Sequence, residues 1–424
     1  MIERRVEKTI LDNGLVVLSE AMEHVCSIGL GIWIRAGSRH EEQPHQNGLS
    51  HFIEHALFKG TRRRSARQIA VEADIIGGNL DAFTTREFTG YYIKALDYHL
   101  AESFDILADL VTEPTFDKAE MEKERDVILE EIKMVDDTPD EMVHELFTAT
   151  FWPNHPLGRP IEGTTKTVQG FTHDQLVSYF QQIYHPKNMV IAAAGHLRHD
   201  RIVELAAHYF GHLQSQQEQA IENPPQACTD IALRKKRGLE QTHIVLGAPC
   251  PSMLAPERYA CSLFSTILGG GLSSRLFQSV REQHGLAYTI YSNINAFRDV
   301  GCLSIYLAVS NRRVHKAIEL TIEEIRKLKE QPVPAEELRA AKDQIKAAIL
   351  LNLDSVTSRM SSLAHNEMTY GYDFSLEEII SAIEQVSIED IQRMGEIIFQ
   401  PKTLVLASLG ASDRLKLDRE YLTC

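Results

Sequence analysis

The sequence predicts an α+β fold made of two duplicated halves, each a mixed β-sheet packed with helices. The first observation is an internal repeat. Residues 173–195 match residues 388–410 without gaps at a constant offset of 215, so that Pro186 meets Pro401, Lys187 meets Lys402, Val190 meets Val405, Ala192 meets Ala407 and Gly195 meets Gly410. The second is that this offset is close to half of the 424 residues, as duplication of one unit would give. The third is that helical and strand patterns alternate without a regular βαβ period, which favours mixed sheets over a doubly wound parallel sheet.

Taken in chain order, Ile28, Leu30, Ile32 and Ile34 alternate strictly and predict a strand with one buried face. Residues 49–58 predict a helix after Asn47-Gly48, and a second helix over about 65–77 ends at Gly77-Gly78. The stretch from Asp81 to Leu96 reads as two strand segments. From about 98 to 148 the pattern is helical, and it is heavily acidic at 117–135. Each copy of the repeat reads as an amphipathic helix, a proline turn and a buried strand. Residues 214–231 are rich in Gln, contain Pro224-Pro225 and lack apolar periodicity, so they predict a linker. The expected division is therefore 1–213, 214–231 and 232–424.

Composition narrows the function classes. Hydrophobic residues at 43% and charged residues at 24% exclude a disordered, collagenous or disulfide-scaffold chain. Lys plus Arg number 44 against 59 Asp plus Glu, a net charge of −15, which argues against nucleic acid as a partner and favours cations or basic peptide segments. No apolar run is long enough for a membrane span, and the first residues lack the apolar region of a secretory signal. The six cysteines are scattered with no C-x-x-C pair, which fits reduced thiols in a cytoplasm. An exported form whose leader is missing from this sequence stays open.

His51-Phe52-Ile53-Glu54-His55 carries the chemistry. On a helix, His51 and His55 lie on one face about 6 Å apart, close enough for two imidazoles to share one Zn²⁺. Glu54 projects beside the same point and can take a proton from a water that the metal acidifies. Chance matches to this pattern number only about 0.06 per chain of this composition. A tetrahedral site needs a third protein ligand, and the acidic helix offers Glu122, Glu124, Glu130 and Glu131. Glu124 and Glu131 share a face about 10.5 Å apart along the axis, so one should ligate and the other act at longer range. Spacing alone leaves the choice among these acids open. In the second half, Gly269-Gly270-Gly271 lacks the Lys-Ser/Thr end of a phosphate loop. The helix Ser274–His284 that follows ends at Gly285, with Arg281 in its last turn and Tyr288 at the start of the next strand. By themselves these two read as a helix-end cation and a strand aromatic.

His-x-x-Glu-His, together with Glu-Arg-Asp-Val-Ile-Leu-Glu-Glu at 124–131, Gly-Gly-Asn-Leu-Asp-Ala-Phe-Thr at 77–84 and Gly-Leu-Ala-Tyr at 285–288, resembles the pitrilysin/insulinase family of zinc peptidases. It is most similar to the subfamily of mitochondrial processing peptidase and its bacterial relatives. The likeness covers nearly the whole chain. It implies one Zn²⁺ per chain on His51, His55 and, 76 positions after the second histidine, Glu131, with Glu54 as the catalytic base and Glu124 as a supporting acid. It implies that Asp81, Ala82 and Phe83 form an edge strand to which an extended peptide adds, although relatives often carry Asn where Asp81 stands. It gives Arg281 and Tyr288 a part in substrate binding. Aligning Gly60 with Gly270 places Cys261, Phe264 and Ser265 where the first half has His51, Glu54 and His55, so the second half keeps the fold without the metal.

The function implied is a zinc metalloendopeptidase acting on short or unfolded peptides. A complete family chamber takes four domains and this chain carries two, so a homodimer with composite sites is expected. The alternatives are a non-catalytic peptide-binding or assembly subunit of the same fold, and a structural zinc site on an unrelated enzyme.

Overall fold

A computed structural model describes residues 5–216 and 224–411, together with Leu422. Part of the expected linker, 217–223, lies outside these residues. Among the described residues the chain divides into two compact units. One is drawn from Met1–Lys133, Arg159–Glu222 and Leu351–Phe374, the other from Met134–Gly158, Asn223–Leu350 and Ser375–Cys424.

The first unit is built on strands β1 (Val6–Ile10), β2 (Val16–Ala21), β3 (Ser27–Ile34), β4 (Asn79–Thr84), β5 (Thr89–Leu96) and β6 (Met189–Gly195), in the order β1-β2-β6-β3-β5-β4. The second is built on β7 (Ile231–Lys235), β8 (Gln241–Cys250), β9 (Ala287–Ala296), β10 (Gly301–Ser310) and β11 (Val405–Gly410), in the order β7-β11-β8-β10-β9. Apart from β1 the two orders correspond strand for strand. The directions agree as well, with β2 and β6 parallel like β7 and β11, and the remaining pairs antiparallel. The fold is the duplicated α+β architecture that the repeat predicts.

The repeat itself falls on equivalent elements. Helices His173–Ile183 and Ile388–Ile398 are each started by a hydroxyl cap, Thr172 accepting from the Gln175 amide and Ser387 from the Asp390 amide. Each helix leads through its proline turn into a fully buried strand, β6 or β11. Small and β-branched residues suit these positions because both sheet faces are covered there.

One expectation is corrected. β3 is buried on both faces, not one. Leu30, Ile32 and Ile34 join the core on the side of helix Leu49–Leu57, while Trp33 joins a second core with Val356, Met360 and Leu363. Helix Val356–Tyr370 lies so close to the sheet that a Cβ on Gly29 would stand 3.0 Å from the Val356 carbonyl oxygen. The second sheet is covered likewise by helix Pro139–Phe151, where a Cβ on Gly247 would meet the Phe147 ring at 2.5 Å. Each unit thus takes one covering helix from the other half of the sequence, and a linear division at 213 and 232 separates the sheets but not these helices. The periodicity of β3 could not show this, because glycines on the second face leave no hydrophobic signal.

The Val356–Tyr370 helix is held by a buried ion pair as well as by packing. Arg359 donates from Nε to both Glu20 carboxylate oxygens at 3.0 Å, and both side chains are buried. Removing one member of a buried pair costs about 3–5 kcal/mol, whereas replacing both with apolar groups is often neutral. Arg359→Met should therefore lower the thermal unfolding midpoint clearly, and Glu20→Met with Arg359→Met should recover most of the loss. Equal loss in the single and double variants would show that shape, not charge pairing, holds this helix.

Candidate metal centre

Helix Leu49–Leu57 places Leu49, Phe52, Ile53, Ala56 and Leu57 in the core, which turns His51, Glu54 and His55 toward the acidic helix Lys118–Asp137 and the end of β4. Its start is not capped by its own neighbour. Gly48 precedes it with φ of +102°, a conformation that favours glycine, and has no side chain to offer. Glu41 supplies the cap from nine residues before Ser50, accepting from the Gly48 and Ser50 amides at 2.7 Å each. Burial pushes the Glu41 carboxyl up to about 7 against these hydrogen bonds. Sequence reasoning missed this residue. The signal was the absence of a Ser, Thr or Asp at the helix start, which means that the orphan amides need a partner from elsewhere.

The acidic helix shows which carboxylates face inward. Met121, Glu124 and Ile128 are its buried residues, and Glu131 continues that stripe at three- and four-residue spacing. Glu122 and Glu130 point outward and pair with Arg125 and Lys133 at the surface. The apolar pair Met121 and Ile128 was the sequence signal that could have separated these acids.

Three donors converge. Glu131 Oε2 lies 3.5 Å from His55 Nε2 and 3.8 Å from His51 Nε2, and one ligand atom from each of the three residues lies within 4.8 Å of the others. The imidazole centroids are 4.7 Å apart, edge to face. Ligands about 2.1 Å from a tetrahedral Zn²⁺ stand roughly 3.4 Å from one another, so this donor set fits the ion with little adjustment. Burial, and then the neighbouring His55, push His51 down to about 3, which keeps its imidazole neutral as a ligand must be. Glu124 does not join the three. Its Oε2 faces the other imidazole nitrogen, His55 Nδ1, at 3.2 Å, so the two acids take opposite nitrogens of one ring.

Glu54 accepts a hydrogen bond from Thr84 Oγ1 at 2.5 Å. Burial raises its pKa above the usual carboxylate range, against the pull of that hydrogen bond, and a raised pKa makes a carboxylate a better proton acceptor. Thr84 ends β4, so the same contact ties the Glu54 carboxylate to the edge strand. Among the described residues β4 pairs with β5 alone and is the last strand of its sheet. The Asp81 carboxylate accepts from Tyr92 across the pair at 3.1 Å, Phe83 packs against Phe88 and Tyr92, and Ala82 packs against the core of helix Leu49–Leu57. Phe83 and Ala82 thus pack into the fold, whereas the exposed Asp81 carboxylate stays at the surface and also accepts from the Ala82 main-chain amide at 2.9 Å.

In the second unit, the helical turns before β9 differ from the predicted α-helix. Residues Phe277–Gln283 form wide π-type turns, and Gly285 ends them with φ of +56°. The Arg281 guanidinium sits 4.5 Å from the Phe277 ring centroid and 4.9 Å from that of Tyr288, so the cation and the phenol are brought into direct contact. Tyr288 is 76% exposed. Helix Arg258–Gly269 holds Cys261, Phe264 and Ser265, all buried, at the positions aligned with the metal residues.

Residues 15–165 match the family described as Insulinase (Peptidase family M16), and residues 170–345 match its Peptidase M16 inactive domain. Over 394 residues, 93% of this chain and 96% of the relative, the sequence is 38% identical to YmxG of Bacillus subtilis, named an uncharacterized zinc protease. The chain belongs to the insulinase family, peptidase family M16. Two solved structures share this M16 fold. A protease from Helicobacter pylori superposes with a TM-score of 0.89 at 23% identity, covering 96% of this chain and 100% of that one. A chain in complex III2 from Candida albicans does so with a TM-score of 0.87 at 20% identity, covering 99% and 100%. The description of the second M16 domain as inactive agrees with the absence of any His, Asp or Glu on helix Arg258–Gly269.

Proposed function

We propose that this M16 chain is a zinc metalloendopeptidase that hydrolyses short or extended peptides. The observation that carries the reading is the convergence of His51, His55 and Glu131 beside Glu54 at the end of an edge strand. Bound to these three residues, a Zn²⁺ ion supplies a Lewis acid for the scissile carbonyl and lowers the pKa of water. The chain's own groups do the rest. β4 holds an extended peptide by main-chain hydrogen bonds, which select for conformation and not for side chains. Glu54 takes the proton of the attacking water and returns it to the leaving amine. Glu124 orients the His55 ring through Nδ1, and Arg281 with Tyr288 binds substrate.

The partners proposed are a peptide and a second copy of this chain, with Arg281 and Tyr288 of one subunit serving the metal centre of the other. A cytoplasmic location belongs to the same reading and rests on the scattered cysteines. Among the described residues no helix is long and apolar enough to cross a membrane. The second reading, a non-catalytic assembly subunit, is favoured by the fold shared with the complex III2 chain. Against it, this sequence holds the base and all three donors.

Metal content tests the centre directly. The purified protein should hold one zinc per chain, and His51→Ala, His55→Ala and Glu131→Ala should each lose most of it on dialysis against a chelator. Full zinc in Glu131→Ala with loss in Glu130→Ala would mean that the third ligand is misassigned.

A further inference from the structure

Lys59 stands two residues beyond the helix that carries the histidines. Its ammonium donates to Glu124 Oε1 at 2.8 Å. The other oxygen of the same carboxylate, Oε2, faces His55 Nδ1 at 3.2 Å, and His55 Nε2 faces Glu131. A continuous run of contacts therefore passes from Lys59 through Glu124 and the His55 ring to a metal-donor atom. Both Glu124 oxygens are engaged, and the residue is only 5% exposed, so solvent has little part in orienting it. The neighbouring cations are committed elsewhere, Arg62 to Glu113 and Arg63 and Arg64 to Asp105 and Asp109.

We infer that Lys59 is a positioning residue of the metal centre: it fixes the Glu124 carboxylate in the plane from which Oε2 accepts the His55 Nδ1 proton, leaving Nε2 as the bare donor. The inference rests on the reading of His51, His55 and Glu131 as zinc ligands. The physical reason is rotational. A Glu carboxylate turns freely about its last torsion, and a single contact to an imidazole N–H does not stop it. A second, charge-assisted contact on the opposite oxygen does. The positive charge also offsets one of three carboxylates, those of Glu54, Glu124 and Glu131, that crowd the two imidazoles. Carboxylates that hold a ligating histidine in this way are worth about 10–100-fold in metal affinity, and a residue one contact further out should act toward the lower end of that range.

The test is zinc affinity by chelator competition, with the visible spectrum of the Co²⁺-substituted protein as a second readout and thermal unfolding as a control for folding. Lys59→Met should bind zinc about tenfold more weakly and alter the cobalt spectrum. Lys59→Arg, which keeps a charged donor, should restore both, to within about threefold for affinity. In a Glu124→Leu background, which has no acceptor for the Lys59 ammonium, the same Lys59→Met change should shift affinity by less than about twofold, because the contact it removes is already gone. A Lys59→Met protein with the parent's affinity and spectrum would overturn the inference. So would an undiminished tenfold loss in the Glu124→Leu background, which would make Lys59 a general structural residue. A parent chain that binds no zinc would overturn the metal reading itself, whereas a zinc-binding parent indifferent to Lys59 would overturn only the role of Lys59.

Discussion

Glu54→Gln should retain one zinc per chain and an unchanged thermal midpoint while peptide cleavage falls by about 10²–10⁴. The substitution preserves shape and the contact that positions the side chain, because an amide oxygen can still accept from Thr84 as the carboxylate does at 2.5 Å. What it removes is basicity. Burial raises the Glu54 pKa, so the wild-type carboxylate takes up a proton more readily than an exposed one, and Gln has no such capacity. Stability should not suffer, since a neutral amide is easier to bury than a charge. Near-normal cleavage by this variant would remove Glu54 from the mechanism. A parent chain that cleaves nothing in a mixed peptide library, yet binds peptides, would favour the assembly-subunit reading.

Mixing two inactive variants should restore activity to about a quarter of wild type if the sites are shared between subunits. Glu54→Gln lacks the base, and Arg281→Ala lacks the cation that stacks on Phe277 and Tyr288 and so also releases the phenol from its partner. Either homodimer alone should be weak. Unfolded and reassembled in equal amounts, half of the dimers become mixed, and closed two-fold symmetry gives each of those one intact site of two. No rise above the parents, once subunit exchange is confirmed, would place the Arg281–Tyr288 pair with the metal centre of its own chain or remove it from substrate binding.

The readings that the sequence supports best share one property, that their geometry is local. His51, Glu54 and His55 lie within a little more than one helical turn, so 1.5 Å per residue and 3.6 residues per turn place them together before any tertiary contact forms. The repeated helix–proline–strand unit is local in the same sense. Its caps at Thr172 and Ser387 and its buried strands are visible as sequence patterns, and two copies of one pattern suggest two copies of one sheet. The contact of Arg281 with Tyr288 also spans only seven positions and one glycine turn.

The readings that failed or stayed open depend on contacts between distant residues. Trp33 and the glycines on the second face of β3 give no alternating signal, and what covers that face arrives from Val356–Tyr370, more than 300 positions away. Glu41 looks like one acid among 59 Asp and Glu until the fold brings it under the Gly48 and Ser50 amides. The π-type turns at 277–283 have no local signature in a sequence that reads as an ordinary helix.

By itself, the sequence determined that the chain is a duplicated α+β protein with a helix that carries two histidines and a carboxylate on one face, because helix and strand periods convert residue spacing directly into geometry. Only the tertiary structure decided which acids turn inward, with Glu131 beside His51 and His55, Glu124 on the far nitrogen of His55, and Lys59 behind Glu124. Four acids on one helix differ little in composition. They differ in which of them the packing of Met121 and Ile128 rotates toward the histidines, and that rotation is set by the core against which the helix lies.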